Sequence, residues 1–339
     1  MNIKLCFFAL AAVLLSTPVR AASDVGSKTG PVTVQVTSVN LATFQPGRVK
    51  FGKLHWKGGL RLSSTDKRFG GFSGLALSKD GRRFVAISDR NWWLKGQLVT
   101  RRGILDGAQN MHMAPIKIER KRRGVHWRDA EAIAPWNARG IDGTLLVGFE
   151  RRERILSYRY GRHGFAAKPK RVKHPKAISS GPFNKELEAL GRFYSGPRKN
   201  WLIAISERNL DDKGNIRGWL WRKWQTIPWS LERFEDYEIT DLAVLPDGKS
   251  FLTLERSYNP PNLPGFAIRQ FKLNSLKNGA TVKGALLFAG RQPFFAIDNM
   301  EGMAIHRSKS GKLQLTIISD DNYRRSLQST LIFRFEMRP

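Results

Sequence analysis

One cysteine in 339 residues, Cys6, excludes a disulfide framework and any cysteine-built metal site. The six histidines (His55, His112, His126, His163, His174 and His306) show no zinc-type pairing. Acids are scarce: 28 Asp and Glu stand against 58 Lys and Arg, a formal net charge of +30. Helical 3.6-residue periodicity is weak throughout, and no apolar run in the body of the chain approaches the ~18 residues of a membrane span.

The exception lies at the N-terminus. Lys4 gives a short positive region, Leu5 to Leu15 an apolar one, and Val19-Arg20-Ala21 small residues at the −3 and −1 positions. Residues 1–21 therefore read as a signal peptide cleaved after Ala21. Cleavage removes Cys6, Lys4 and Arg20, so the expected mature chain has no cysteine and a charge of +28. It is expected in the periplasm or secreted medium, without a transmembrane segment, as a monomer. Residues 22–50 form an N-terminal segment, and residues 51–339 read as a single domain.

Within that domain one plan recurs five times. The segments are FSGLALSKDGRRFVAISDR (72–90), AEAIAPWNARGIDGTLLVGFER (130–151), LEALGRFYSGPRKNWLIAISER (187–208), TDLAVLPDGKSFLTLER (240–256) and MEGMAIHRSKSGKLQLTIISDD (300–321). Each is an apolar run, a polar turn, a second apolar run and an acid. Ser73, Glu131, Glu188, Thr240 and Glu301 head them, at intervals of 58, 57, 52 and 61 residues. Apolar runs of strand length around turn residues are hairpins. Further strand-like runs follow at Arg217 to Trp224, Leu231 to Phe234, Phe266 to Leu273, Ala285 to Phe288 and Thr330 to Glu336. The pattern predicts an all-β fold, a β-propeller of four-stranded antiparallel blades. Five blades are visible, and a sixth would have to lie near residues 31–50 or in the spacers. The last unit runs out after three strands, so an N-terminal strand such as Leu54 to Leu62 is expected to supply its fourth and close the ring.

In a hairpin the start of the first strand sits beside the end of the second. Asp89, Glu131, Glu150, Glu188, Glu207, Glu255, Glu301, Asp320 and Asp321 should then gather at one end of the central channel, with Asp241 and Asp298 next to them. Crowded carboxylates need compensation. A hard cation such as Ca²⁺, which takes oxygen ligands, is one source. A lattice with Arg90, Arg151, Arg208 and Arg256, each directly following an acid, is the other. The two fit the sequence equally well.

At these residues the sequence resembles the phytase-like family, labelled "esterase-like activity of phytase". The matching pieces are FGGFSGLALSKDGRRFVAISDR, RDAEAIA with LLVGFERRERI, ELEAL, EITDLAVLPDGKSFLTLER, and NMEGMAIH with LTIISDDN. The likeness spans about Leu60 to Phe335. It implies a relation to β-propeller phytases, in which calcium held by acidic side chains bridges to substrate phosphates, and it extends here only to the acid ring as a whole.

Other motifs fail on chemistry. In GRHGFAAKP (161–169) Ala166 and Lys168 replace the arginine and proline of a histidine acid phosphatase, so it reads as a hairpin turn. GFSGL lacks the last glycine of a nucleophile elbow. GWLWRKWQTIPW (218–229) reads first as aromatic packing between blades and second as a sugar- or cation-stacking surface. ERKRRGVHWR (119–128) is a basic loop ahead of Glu131. The expected function is an exported, calcium-assisted hydrolase of a phosphoester or related ester. In that reading Asp89, Glu131, Glu150, Glu188, Glu207, Glu255, Asp298, Glu301, Asp320 and Asp321 are candidate metal ligands. Arg90, Arg151, Arg208, Arg256, Lys121, Arg122 and Arg123 are candidate phosphate holders. No organic cofactor is expected. The competing reading is a non-catalytic envelope propeller that binds anionic small molecules or polyanions through its charge. No nucleic-acid-binding signature is present.

Overall fold

A computed structural model describes residues 29–119, 127–181, 187–258 and 263–337. Residues 1–21, expected to be a signal peptide, and Lys121, Arg122 and Arg123 lie outside the described residues. The strands form five antiparallel sheets, and the five innermost strands pack side by side in sequence order until the last meets the first.

From inside outwards, blade 1 is Phe72–Leu77, Arg83–Ser88, Trp92–Arg101 and Ile104–Pro115, with Gly30–Pro31 at its rim. Blade 2 is Ala130–Pro135, Leu145–Phe149, Arg154–Tyr158 and Pro169–Val172. Blade 3 is Leu187–Arg192, Leu202–Leu210, Ile216–Arg222 and Gln225–Leu231, with Thr281–Val282 added in parallel. Blade 4 is Glu238–Val244, Ser250–Ser257, Gly265–Lys272 and Ala285–Arg291. Blade 5 is Asn299–Arg307, Leu313–Asp320 and Thr330–Met337, completed by Leu54–Ser63 and then Gln35–Val39 from the N-terminal side.

The ring thus closes with five blades, and the sixth blade that the sequence left open is not formed. Near residues 31–50, one place where it was sought, the strands Gly30–Pro31 and Gln35–Val39 instead extend blades 1 and 5. The outer strand of blade 3 is Gln225–Leu231, upstream of the expected Leu231 to Phe234. A tight turn at Lys223, with φ 52, starts it straight after Arg222.

Packing explains why the strands read as continuous apolar runs. Each blade buries both faces, one against each neighbour, so alternation is lost as it is for any doubly covered sheet. The core falls into five clusters, one per interface between blades. Phe72, Leu75 and Phe84 of blade 1 meet Leu60, Ile318 and Ile332 of blade 5 across the closing seam. Trp219 and Trp221 fill the space between blades 2 and 3, and Trp229 that between blades 3 and 4. Trp224 alone of that segment's tryptophans is exposed.

All five inner strands carry the same irregularity. Register slips by one residue at Ser73, Glu131, Glu188, Thr240 and Glu301, so each of these faces no partner in the second strand of its blade. A β-bulge of this kind re-aims a side chain and twists the strand locally. The five residues that head the sequence repeat are the five bulge residues.

Candidate functional site

At the open ends of the inner hairpins the acids form a chain of near neighbours that passes round the axis. Asp89 of blade 1 lies beside Asp320 of blade 5 and Asp129 before blade 2. Glu131 is beside Asp129, Glu188 and Glu150. Glu188 is beside Glu207, Glu150 and Glu301, and Glu301 beside Asp320 and Glu207. Carboxylate oxygens of Asp129, Glu131 and Glu150 lie within 4.8 Å of one another, as do those of Glu150, Glu188 and Glu207.

Burial and mutual repulsion disfavour the ionised forms. Burial, then Asp129, Glu188 and Glu150, push the Glu131 carboxyl well above its ordinary range. Burial, then Glu207, Glu150 and Glu301, do the same to Glu188, against a lowering effect from Arg256. Asp89 is raised by burial, then Asp320 and Asp129. Glu301 is pushed up to about 7 by burial, although Arg256 opposes the shift. Burial pushes Asp320 up to about 6, against the backbone N–H of Asn322, which donates to it at 2.6 Å.

The arginines compensate one side of the ring. Arg256 donates to Glu301, to Glu207 at 3.2 Å and to Asn299 at 2.8 Å, linking blades 3, 4 and 5. Arg151 pairs with Asp129 at 2.5 Å, and Arg208 pairs with Glu238. Arg90 stacks on the ring of Tyr323 at 3.6 Å. Arg208 and Arg256 reach Glu238 and the Glu207–Glu301 pair rather than lying beside the acids that precede them, because strand alternation sends adjacent side chains to opposite faces.

That alternation removes Glu255 from the ring. It is fully buried inside blade 4, bound by Arg269 at 2.6 Å and by Thr253 at 2.6 Å, and Arg256 takes the channel position instead. Asp298 is occupied by the backbone N–H groups of Asn299 and Ser329 and by the Gln328 amide. Asp321 accepts the N–H groups of Gly71 and Tyr323 at 3.1 and 3.0 Å. This contact needs Gly70 and Gly71, whose φ values are +117° and +65°, because a Cβ would strike Asp321 or Asp89 within 2.5 Å. Asp241 accepts N–H groups from Leu242 and Met303 and so joins blades 4 and 5.

Three site residues escaped the sequence reading. Asp129 and Asn299 each lie two residues before a ring acid, and Asn299 donates to Glu301 at 2.7 Å. Tyr323, bound to Ser88 at 2.9 Å, lies on a turn with no periodic signal.

The donor set is chemically suited to a hard cation: it is all carboxylate oxygen, grouped in two trios, and one buried oxygen of Asp89 has no donor. The fold and this ring define a five-bladed propeller with an acid-lined channel end. The chain belongs to the phytase-like family, described as "Esterase-like activity of phytase", whose family model matches residues 67–323.

Among solved structures, an endo-arabinase from Bacteroides thetaiotaomicron is similar at 10% identity and TM-score 0.47, over 80% of this chain and 95% of that one. The WD40 repeats of RRP9 are similar at 11% identity and TM-score 0.38, over 88% and 100%. No curated protein matches the chain. Among the described residues no helix is long and apolar enough to cross a membrane.

Proposed function

We propose that the protein is an exported phytase-like hydrolase that cleaves a phosphoester or related ester at the acid ring with the help of calcium. The observation that carries this reading is the asymmetry of compensation. Arg256 pairs with Glu207 and Glu301 on one side, whereas the neighbours that most shift Glu131 are all acids. Arg151 is the cation beside that group, on Asp129. A buried set of like charges is costly unless a counter-charge is supplied.

Asp129, Glu131, Glu150, Glu188 and Glu207 would hold the cation. When bound, it supplies a positive centre that polarises a phosphoryl or carbonyl oxygen. The chain's own residues do the rest. Asp320, at about 6, has one oxygen held by the Asn322 N–H and, unlike Glu301, does not accept from Arg256, so it would be the carboxyl that takes a proton from water. Arg256 keeps Glu301 and Glu207 apart and fixed. Arg90, laid over Tyr323, presents an exposed guanidinium at the ring's edge for an anionic substrate group.

The test is calcium titration calorimetry with elemental analysis on chain 22–339, followed by hydrolysis of p-nitrophenyl phosphate and p-nitrophenyl acetate. Stoichiometric calcium, lost in Glu188→Gln, with turnover abolished by chelation, is the expected result. Absence of binding, with Glu188→Gln gaining stability, would make the ring a carboxylate–arginine lattice and the protein a binding propeller.

A further inference from the structure

A cavity of about 1330 Å³ lies at the other end of the inner hairpins, where their turns are. Its lining is more apolar than polar, and Leu75, Ile133, Leu190, Leu242 and Met303 give it one apolar residue from each blade. Its ionisable lining is of one dominant sign, nine Lys and Arg against three carboxylates, Asp80, Asp142 and Glu336. Those three acids are engaged: Asp80 by Ser78 and the Arg82 N–H, Asp142 by Arg83, and Glu336 by Lys312 and Lys57.

Two arginines of this lining are buried without a carboxylate partner among the described residues. Arg334, 2% exposed, donates to Thr316 Oγ1 at 3.1 Å and to the Gly81 carbonyl at 2.9 Å. Burial alone lowers its pKa to about 10. Arg192, 9% exposed, stacks on Trp136 at 4.0 Å, donates to the Trp136 carbonyl and to Asn200, and leaves its Nε without a partner. Nδ1 of the buried His306 in the same lining is also unpartnered. Elsewhere the fold does not leave such groups alone: Arg269, equally buried, has Glu255, and Arg256 has Glu301 and Glu207. A guanidinium taken out of water without a counter-charge is costly, so an anion entering here gains what the protein withholds.

We propose that this turn-end cavity is a second site, which binds an organic anion with an apolar body and a phosphate, sulfonate or carboxylate head. The body lies against the apolar residues of the five blades, and the head faces Arg334 and Arg192 within the basic rim. The site is independent of the acid ring and of the hydrolase reading.

The experiment is calorimetric titration of chain 22–339 with 1-naphthalenesulfonate, which is not hydrolysable, and with 1-naphthol as the uncharged comparison. One-to-one binding of the sulfonate, at least tenfold tighter than the naphthol, is expected. Ala243→Trp, which fills the cavity, should abolish it, and Arg334→Leu should weaken it tenfold or more. Should Arg334→Leu not fold, Arg307→Glu with Lys309→Glu alters only exposed rim charges and should weaken binding and flatten its salt dependence. Glu188→Gln should leave it unchanged. The proposal is overturned if the sulfonate does not bind, binds no better than the naphthol, or binds Ala243→Trp as well as the parent.

Discussion

At the residue scale, Arg256 is the point on which the ring's charge turns. Losing it removes the guanidinium that bridges Glu301 and Glu207. Arg256→Gln should cost about 3–5 kcal/mol at pH 7.5, the range for breaking a buried pair, and clearly less at pH 5, measured by urea unfolding in the presence of a chelator. The same groups set the pH profile of the metal-free protein. Glu301 and Asp320 have folded pKa values, about 7 and about 6, above their ordinary 4.5 and 3.8. Between the ordinary and folded values the native state binds more protons than the unfolded chain, so stability falls as pH rises through that window. His306, lowered to about 4, works in the opposite sense, but it is one group against several raised carboxyls. The chelated protein should therefore melt higher at pH 5 than at pH 7.5, and a flat or rising profile would count against these protonation states. Hairpin logic was sufficient to bring Glu131 and Glu150, or Glu301 and Asp320, to one end. It was insufficient for Glu255 and Arg256, because which of two adjacent residues faces the channel depends on a phase that one inserted residue reverses.

At the scale of the element, the closing strand and the bulges carry the argument. Leu54–Ser63 covers the edge of Thr330–Met337 and contributes Leu60 and Leu62 to the seam core. Deleting residues 22–63 should expose that edge and abolish cooperative melting, with the product recovered as aggregate in size-exclusion chromatography. Asp241→Ala removes the acceptor for two buried N–H groups on neighbouring blades and should lower stability by about 2–3 kcal/mol, read as a shift in denaturation midpoint. The closing strand was legible because blade 5 ended one strand short in the sequence. The bulges were not, since an extra residue in a strand leaves no mark on an apolar run that is buried on both sides. The repeat's fixed spacing located them without revealing what they were.

Over the whole molecule, the two ends of the channel differ in their dominant charge. The acids lie at the open ends of the inner hairpins, and the turn end is rimmed by Lys79, Arg82, Arg307 and Lys309. A polyanion should approach by the turn end. Retention on heparin at low salt, weakened as salt is raised, is expected to drop in Arg307→Glu with Lys309→Glu and to persist in Glu188→Gln. Equal loss in both variants would mean that net charge, not its placement, governs the interaction. Each blade sets one bulge residue at the open end of its inner hairpin. Three carry Glu, and blades 1 and 4 carry Ser73 and Thr240. The ring is in effect a five-seat turret: Glu fills three seats with carboxylates, while Thr240 uses its seat to bolt blade 4 to the Met300 carbonyl of blade 5.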